Sequence, residues 1–216
     1  MLQLSLPDSD APLEVTCIGA HSDDIEIGCG GTLRTLLLRG RRLKVNWIVL
    51  SADGARRDEA TRSAMRWLGE TADVRLYLAA FRDSHFPAAF SALKDHLSAV
   101  KRETDASIVF THGLEDRHQD HRIAAEITWQ TWRDHLVLEY EVPKYDGDLG
   151  RPNAYVQLSA DVANRKADHL VEHFGTQRAK DWFGRDTFLS LMRVRGVECR
   201  APDGFAEAFV ARKMTL

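Results

Sequence analysis

Cysteine is scarce in this chain: Cys17, Cys29 and Cys199 are the only three among 216 residues. They form no C-x-x-C pair and no even set, which excludes a disulfide framework and a Cys-rich structural zinc site. Neither sign of charge is in excess. Lys and Arg number 29 against 32 Asp and Glu, a net charge of -3, so the composition gives no basis for nucleic acid or an anionic membrane as partner. Long apolar runs are missing as well; none approaches the roughly 18 uninterrupted apolar residues of a membrane helix. Between Met1 and Pro12 the chain carries Asp8 and Asp10 where a secretory leader would be basic and then apolar. These absences together predict a cytoplasmic protein with no membrane span, kept in a reducing compartment.

What is present suffices for one core. With 44% hydrophobic residues over 216, the expectation is a single domain, residues 1–216, without internal repeats or low-complexity tracts. Short apolar runs alternate with helical patterns. Leu13 to Ile18 reads as a buried strand, Gly30 to Arg39 as a helix stopped by Gly40, and Leu43 to Leu50 as a second strand. Arg56 to Leu68 reads as an amphipathic helix ending at Gly69, and Val74 to Leu78 as a third strand. Phe90 to Arg102 is helical, Ser107 to Thr111 a fourth strand, and Ile123 to Leu136 a helix. Glu139 to Pro152 reads as a loop, Tyr155 to Leu158 as an edge strand and Ala160 to His173 as a further helix. Repeated strand, helix, strand units predict an α/β fold, a Rossmann-like three-layer sandwich with a mainly parallel sheet.

Two clusters stand out against this pattern. His21-Ser22-Asp23-Asp24 follows the first strand, and His118-Gln119-Asp120-His121 follows the fourth by a few residues. Ligands of such sheets bind at the carboxyl ends of strands, so residues a hundred positions apart in sequence become neighbours in space. Imidazoles and carboxylates gathered there can build an open metal site, in which three His and Asp ligands leave a fourth position for water. Hydrolysis is the chemistry that this arrangement suggests. The run Gly28-Cys29-Gly30-Gly31-Thr32 lacks the G-x-G-x-x-G spacing and a following Gly-Lys-Thr, so it reads as flexible backbone returning Asp24 to the site. Asp83-Ser84-His85 is no Ser-His-Asp triad, because adjacent residues cannot adopt that geometry.

The two clusters resemble those of the PIG-L/LmbE-like family of metal-dependent N-deacetylases. The first is similar to its A-H-P-D-D signature, here Ala20 to Asp24 followed by Gly28, Gly30 and Gly31; the second is similar to its H-x-D-H signature, here His118 to His121. The resemblance implies zinc, or another divalent ion such as Fe2+, held by His21, Asp24 and His121. It further implies Asp23 as general base, His118 as general acid and oxyanion partner, and Asp120 as the carboxylate that orients and charges His118. Ser22 stands where the family usually has Pro, which frees a φ angle and adds a backbone N–H but leaves the ligands unchanged.

Weaker likenesses concern substrate. Phe81-Arg82-Asp83-Ser84 resembles an R-D-S stretch whose Asp binds sugar hydroxyls, and either Arg56 or Arg57, ahead of Glu59, resembles an arginine that contacts substrate. His85, His96, His112, His135, His169 and His173 are read as structural or solvent-facing. The implied partner is a small-molecule N-acetyl amino sugar conjugate, of N-acetylglucosamine type, that loses its acetyl group as acetate. An amidase on a sugar-thiol conjugate, a metal phosphoesterase and a non-catalytic sugar- or metal-binding relative are the alternatives.

Overall fold

Apolar side chains point to both faces of the inner strands, and helices cover both faces. In the computed structural model, which describes residues 11–214, five strands run parallel: β1 (Leu13–Gly19), β2 (Leu43–Val49), β3 (Asp73–Leu78), β4 (Ile108–His112) and β5 (Leu136–Tyr140). The edge strand β6 (Ala154–Leu158) and β7 (Phe205–Ala211) complete the sheet, with β7 antiparallel to both β5 and β6. The order β3-β2-β1-β4-β5-β7-β6 makes one seven-stranded sheet, mainly parallel as expected. Helices α1 (Asp24–Leu38), α2 (Gly54–Leu68), α5 (Ala160–His173) and α6 (Arg185–Glu198) cover one face, around Val15, Trp47, Leu33, Phe110, Leu170 and Phe188. Helices α3 (Phe90–Arg102) and α4 (Gln119–Thr131) cover the other, around Ile18, Ile48, Leu97, Val109 and Ile127. The chain order of the strands reverses between β1 and β4, which opens a crevice beyond their carboxyl ends.

Three parts of the chain differ from expectation. Helix α1 starts at Asp24 and not at Gly30, so the glycine run lies inside it and is no flexible return. These glycines admit neighbours. A Cβ on Gly28 would lie 2.1 Å from the Tyr140 ring, one on Gly31 2.8 Å from Glu207 Oε1, and one on Gly30 3.3 Å from Trp67 Nε1. Tyr140, let in by Gly28, donates its hydroxyl to the Ile18 carbonyl at 2.6 Å and so secures the end of β1. Glu207 accepts the backbone N–H groups of Gly31 (2.7 Å) and Thr32 (2.6 Å), while the buried Lys166 donates to the Ile27 carbonyl and to Glu207. An ion pair thus reaches the backbone of α1 between one and about two turns after Asp24.

The second difference is α4, which begins at Gln119 and ends at Thr131, releasing Leu136–Tyr140 as β5 where a helix end and loop were expected. Pairing with β4 on one side and β7 on the other makes this segment a strand. The third is the carboxyl-terminal part, where α6 and β7 form without a sequence expectation for either. Gly40 does end the first helical segment, at φ +82. Asp8 and Asp10, on which the reading of the leader region rests, lie outside the described residues. Among the described residues no helix is long and apolar enough to cross a membrane.

Two stability measurements follow from this packing. Gly28→Ala forces a methyl into the Tyr140 ring and is expected to cost about 1–3 kcal/mol or more. Gly150→Ala, with open space around its Cβ, is the control and should stay within about 0.5 kcal/mol; equal unfolding midpoints for the two would contradict the close approach. The second concerns His169, which hydrogen-bonds Ser63 Oγ at 2.8 Å beside Trp67 and stacks on His173. Burial, then the charges of His173 and Arg66, push it down to about 3. The unfolded chain therefore takes up a proton near pH 6.5 that the folded one refuses, so this contribution is intact above that pH and is lost as pH falls. Between pH 7.5 and 5 the wild type should lose about 2 kcal/mol more than His169→Gln in denaturant titrations.

Candidate metal centre

The crevice between β1 and β4 is where the two clusters meet. Leaving β1, the chain makes a tight turn in which the His21 N–H donates to Asp24 Oδ2 at 2.7 Å. That bond aims the first carboxylate of α1 back at the His21 ring. Leaving β4, the chain crosses to α4, whose N-cap is His118; its Nδ1 accepts the Asp120 N–H at 3.3 Å, and His121 follows in the first turn. His21 Nδ1 lies 3.2 Å from His121 Nε2 and 3.5 Å from Asp24 Oδ2, and His121 Nε2 lies 3.6 Å from Asp24 Oδ1. Ligand atoms ~2.0–2.1 Å from a tetrahedral ion stand ~3.3 Å apart; the two imidazole nitrogens have that spacing, and a different Asp24 oxygen lies near each of them.

Each imidazole is aimed by a carboxylate behind it. Asp116 Oδ2 lies 3.0 Å from His121 Nδ1, leaving Nε2 for a cation. His21 Nε2 lies 3.3 Å from Asp83 Oδ1 and 3.4 Å from Asp120 Oδ2, leaving Nδ1 on the inner side. His112, at the end of β4, is fully buried, stacks on His121 with ring centroids 3.9 Å apart, and places Nε2 3.1 Å from Asp24 Oδ2.

The electrostatics separate the two adjacent carboxylates. Burial would raise Asp24, but His121 and His112, with the hydrogen bonds of His112 and His21, hold it well below its ordinary value. Asp23 is pushed up to about 6, by burial first and by the Asp24 charge second. Its side chain makes no capping bond although it occupies the N-cap of α1, so it stays free for chemistry. Burial, followed by His112, pushes His121 down to about 3, whereas His21, against its burial, is held well above its ordinary value by Asp120, Asp24 and Asp83, so an ion binding there displaces a proton from His21. Asp23, Asp24, Asp116 and Asp120 are all buried here. Imidazoles, Lys144 and backbone N–H groups hold Asp24, Asp116 and Asp120 ionised against that burial, so negative charge is concentrated where a divalent cation would bind.

The remaining expected residues sort by distance. Arg56 Nη1 donates to Asp83 Oδ2 at 2.6 Å beside His21, whereas Arg57 turns away to the Leu78 carbonyl at 3.0 Å. Of the two arginines, Arg56 is the one at the site. Asp120 differs from expectation: its carboxylate accepts the N–H groups of Ser84 (2.6 Å) and Phe86 (3.1 Å), pinning the loop that presents Asp83, and acts on His118 only through space. Ser84 pays for that bond with a left-handed backbone, φ 64. The hydroxyl of Ser22 is buried without a hydrogen-bond partner among the described residues. Sequence reasoning missed His112, Asp116 and Lys144. His112 ends a strand beside the second cluster, a position that the rule for strand ends could have flagged; Lys144 sits in an irregular loop and gave no signal.

Comparison with known proteins agrees with this geometry. The family profile described as PIG-L, GlcNAc-PI de-N-acetylase, matches residues 16–132, which span both clusters. YaiS of Escherichia coli K12, described as an uncharacterized deacetylase, is 30% identical over 139 residues, covering 60% of this chain and 74% of its own. Among solved structures, N,N'-diacetylchitobiose deacetylase from Pyrococcus horikoshii superposes with a TM-score of 0.68 at 20% identity, covering 91% of this chain and 82% of that one. The Pseudomonas putida 4-carboxy-2-hydroxymuconate hydratase GalB superposes with a TM-score of 0.69 at 17% identity, covering 94% and 98%. At such identities the structural likeness speaks for the fold.

Chelator-stripped protein titrated with Zn2+ or Co2+ should take up one equivalent, and His21→Ala or His121→Ala should abolish tight uptake. Two equivalents, or uptake unchanged in either variant, would contradict the three-donor site.

Proposed function

Because the chain belongs to the PIG-L, GlcNAc-PI de-N-acetylase family, we propose that it is a metal-dependent N-deacetylase acting on an N-acetylated amino sugar conjugate of N-acetylglucosamine type. The observation that carries this reading is the Asp23-Asp24 pair: two neighbouring buried carboxylates whose proton affinities are driven in opposite directions. Environments that push two titratable groups apart separate a ligand from a base. His21, Asp24 and His121 would hold the ion, zinc or Fe2+, and the ion would supply Lewis-acid polarisation of the acetyl carbonyl and of water.

The protein groups divide the proton traffic. Asp23, ionised at neutral pH with an affinity near that of the medium, accepts a proton from the attacking water as the new C–O bond forms. His118 has Nδ1 engaged by the Asp120 N–H, so the proton of its neutral ring sits on Nε2. Burial, with His21 adding to it, lowers its affinity, which makes that ring a ready donor once charged. As the C–N bond breaks, His118, once protonated from solvent, gives that proton to the leaving amine; Asp23 returns the proton it took from water to solvent, and acetate and free amine result. Asp83, fixed by Arg56 and by the loop that Asp120 pins, is the group offered to sugar hydroxyls. The name of the Pyrococcus horikoshii relative supports an N-acetyl amino sugar as substrate class. An amidase on a sugar-thiol conjugate would differ only in the group attached to the sugar. The three cysteines, buried and free, agree with a reducing, cytoplasmic setting.

Acetate release from a panel of N-acetyl amino sugars tests the reading, and no release from any member would contradict it. Asp23→Asn is expected to lower kcat by about 100-fold or more while keeping the metal. Asp24→Asn should lose both, and equal metal loss in the two variants would contradict the division of roles.

A further inference from the structure

Lys144, in the loop after β5, is a cation placed next to a proposed cation site. Its side chain is 8% exposed, and Nζ lies 3.0 Å from Asp116 Oδ2, the oxygen that also faces His121 Nδ1 at 3.0 Å. On its other side Nζ is shared with Asp148, 2.7 Å from Oδ2 and 2.8 Å from Oδ1. Asp148 Oδ2 in turn accepts the Arg117 N–H at 2.7 Å, so the loop is tied to the segment leading into α4. The orientation of Asp116 does not depend on Lys144 alone, since Asp116 Oδ1 also accepts the His118 N–H at 2.8 Å. An ammonium in this position therefore does something that a mere anchor would not: it draws on the same oxygen that makes His121 a stronger donor.

We propose that Lys144 is a positioning residue that restrains the metal centre, dividing its charge between Asp116 and Asp148 so that Asp116 pulls less on His121 and the cation is held less tightly. The inference rests on the reading of His21, Asp24 and His121 as ligands. Its sign is opposite to that of a structural role: a mere anchor, once cut, would loosen the site, whereas removing a buried positive charge and freeing Asp116 tightens it. Asp148 supplies the counter-experiment. Neutralising it leaves the whole ammonium to Asp116 and increases the restraint, while an Asn oxygen can still accept the Arg117 N–H.

The test is Zn2+ affinity of the full chain by competition with a chromophoric chelator, with the Co2+ absorption spectrum as a second readout and the metal-free unfolding midpoint as the check on folding. Lys144→Gln is expected to bind Zn2+ about tenfold more tightly and to shift the Co2+ bands, Lys144→Arg to stay near wild type, and Asp148→Asn to bind more weakly. Unchanged or weaker binding by Lys144→Gln, or movement of both variants in the same direction, would overturn the proposal. If Lys144→Gln does not fold, the direction of Asp148→Asn decides. Failure of the wild type to bind Zn2+ would instead remove the ligand assignment itself.

Discussion

Asp24 is the constraint on which the rest depends. It is buried, it is kept ionised, and three imidazoles, those of His21, His112 and His121, stand within 3.1–3.6 Å of its oxygens. A carboxylate can be kept charged inside a protein only where donors and countercharges converge on it. Meeting that demand brings β1, β4 and α4 to one point, and the same convergence leaves Asp23 next to a fixed negative charge with a raised proton affinity. Ligand and base are thus two consequences of one electrostatic arrangement.

The helix that carries Asp24 is held correspondingly firmly. Its glycines let Tyr140, Trp67 and Glu207 come against the backbone, and each of the three then makes a hydrogen bond to main chain: Tyr140 to the end of β1, Trp67 to Gly30, Glu207 to Gly31 and Thr32. A site built on a strand end and two helix starts gains precision from such packing, because side chains on rigid elements hold geometry better than those on loops. The loop that presents Asp83 is itself fastened by Asp120 from the start of α4.

Much of this was legible in the sequence and some was not, for identifiable reasons. The parallel α/β order and the placing of His21 and His118 after strands came from hydrophobic runs of four to eight residues, which are local signals. Helix α3 and helix α5 matched their expected bounds for the same reason. Strand β5 escaped because Leu136–Tyr140 is a strand only through its partners β4 and β7, which lie far along the chain. The glycine run misled because glycine for close approach and glycine for a turn look alike in one sequence. At the site, the resemblance gave Asp120 to His118, but backbone amides of a loop some 34 to 36 positions away claim its carboxylate. His112 and Asp116 act on ligands through contacts that only the fold creates.

The most direct check on the centre is the position of a bound ion. Anomalous diffraction at the zinc edge from crystals of the metal-loaded chain should give one peak bounded by His21 Nδ1, His121 Nε2 and a carboxylate oxygen of Asp24, with Asp23 outside bonding distance. A peak held instead by Asp83 and His118, or ligation by Asp23 in place of Asp24, would contradict the assignment of ligand and base.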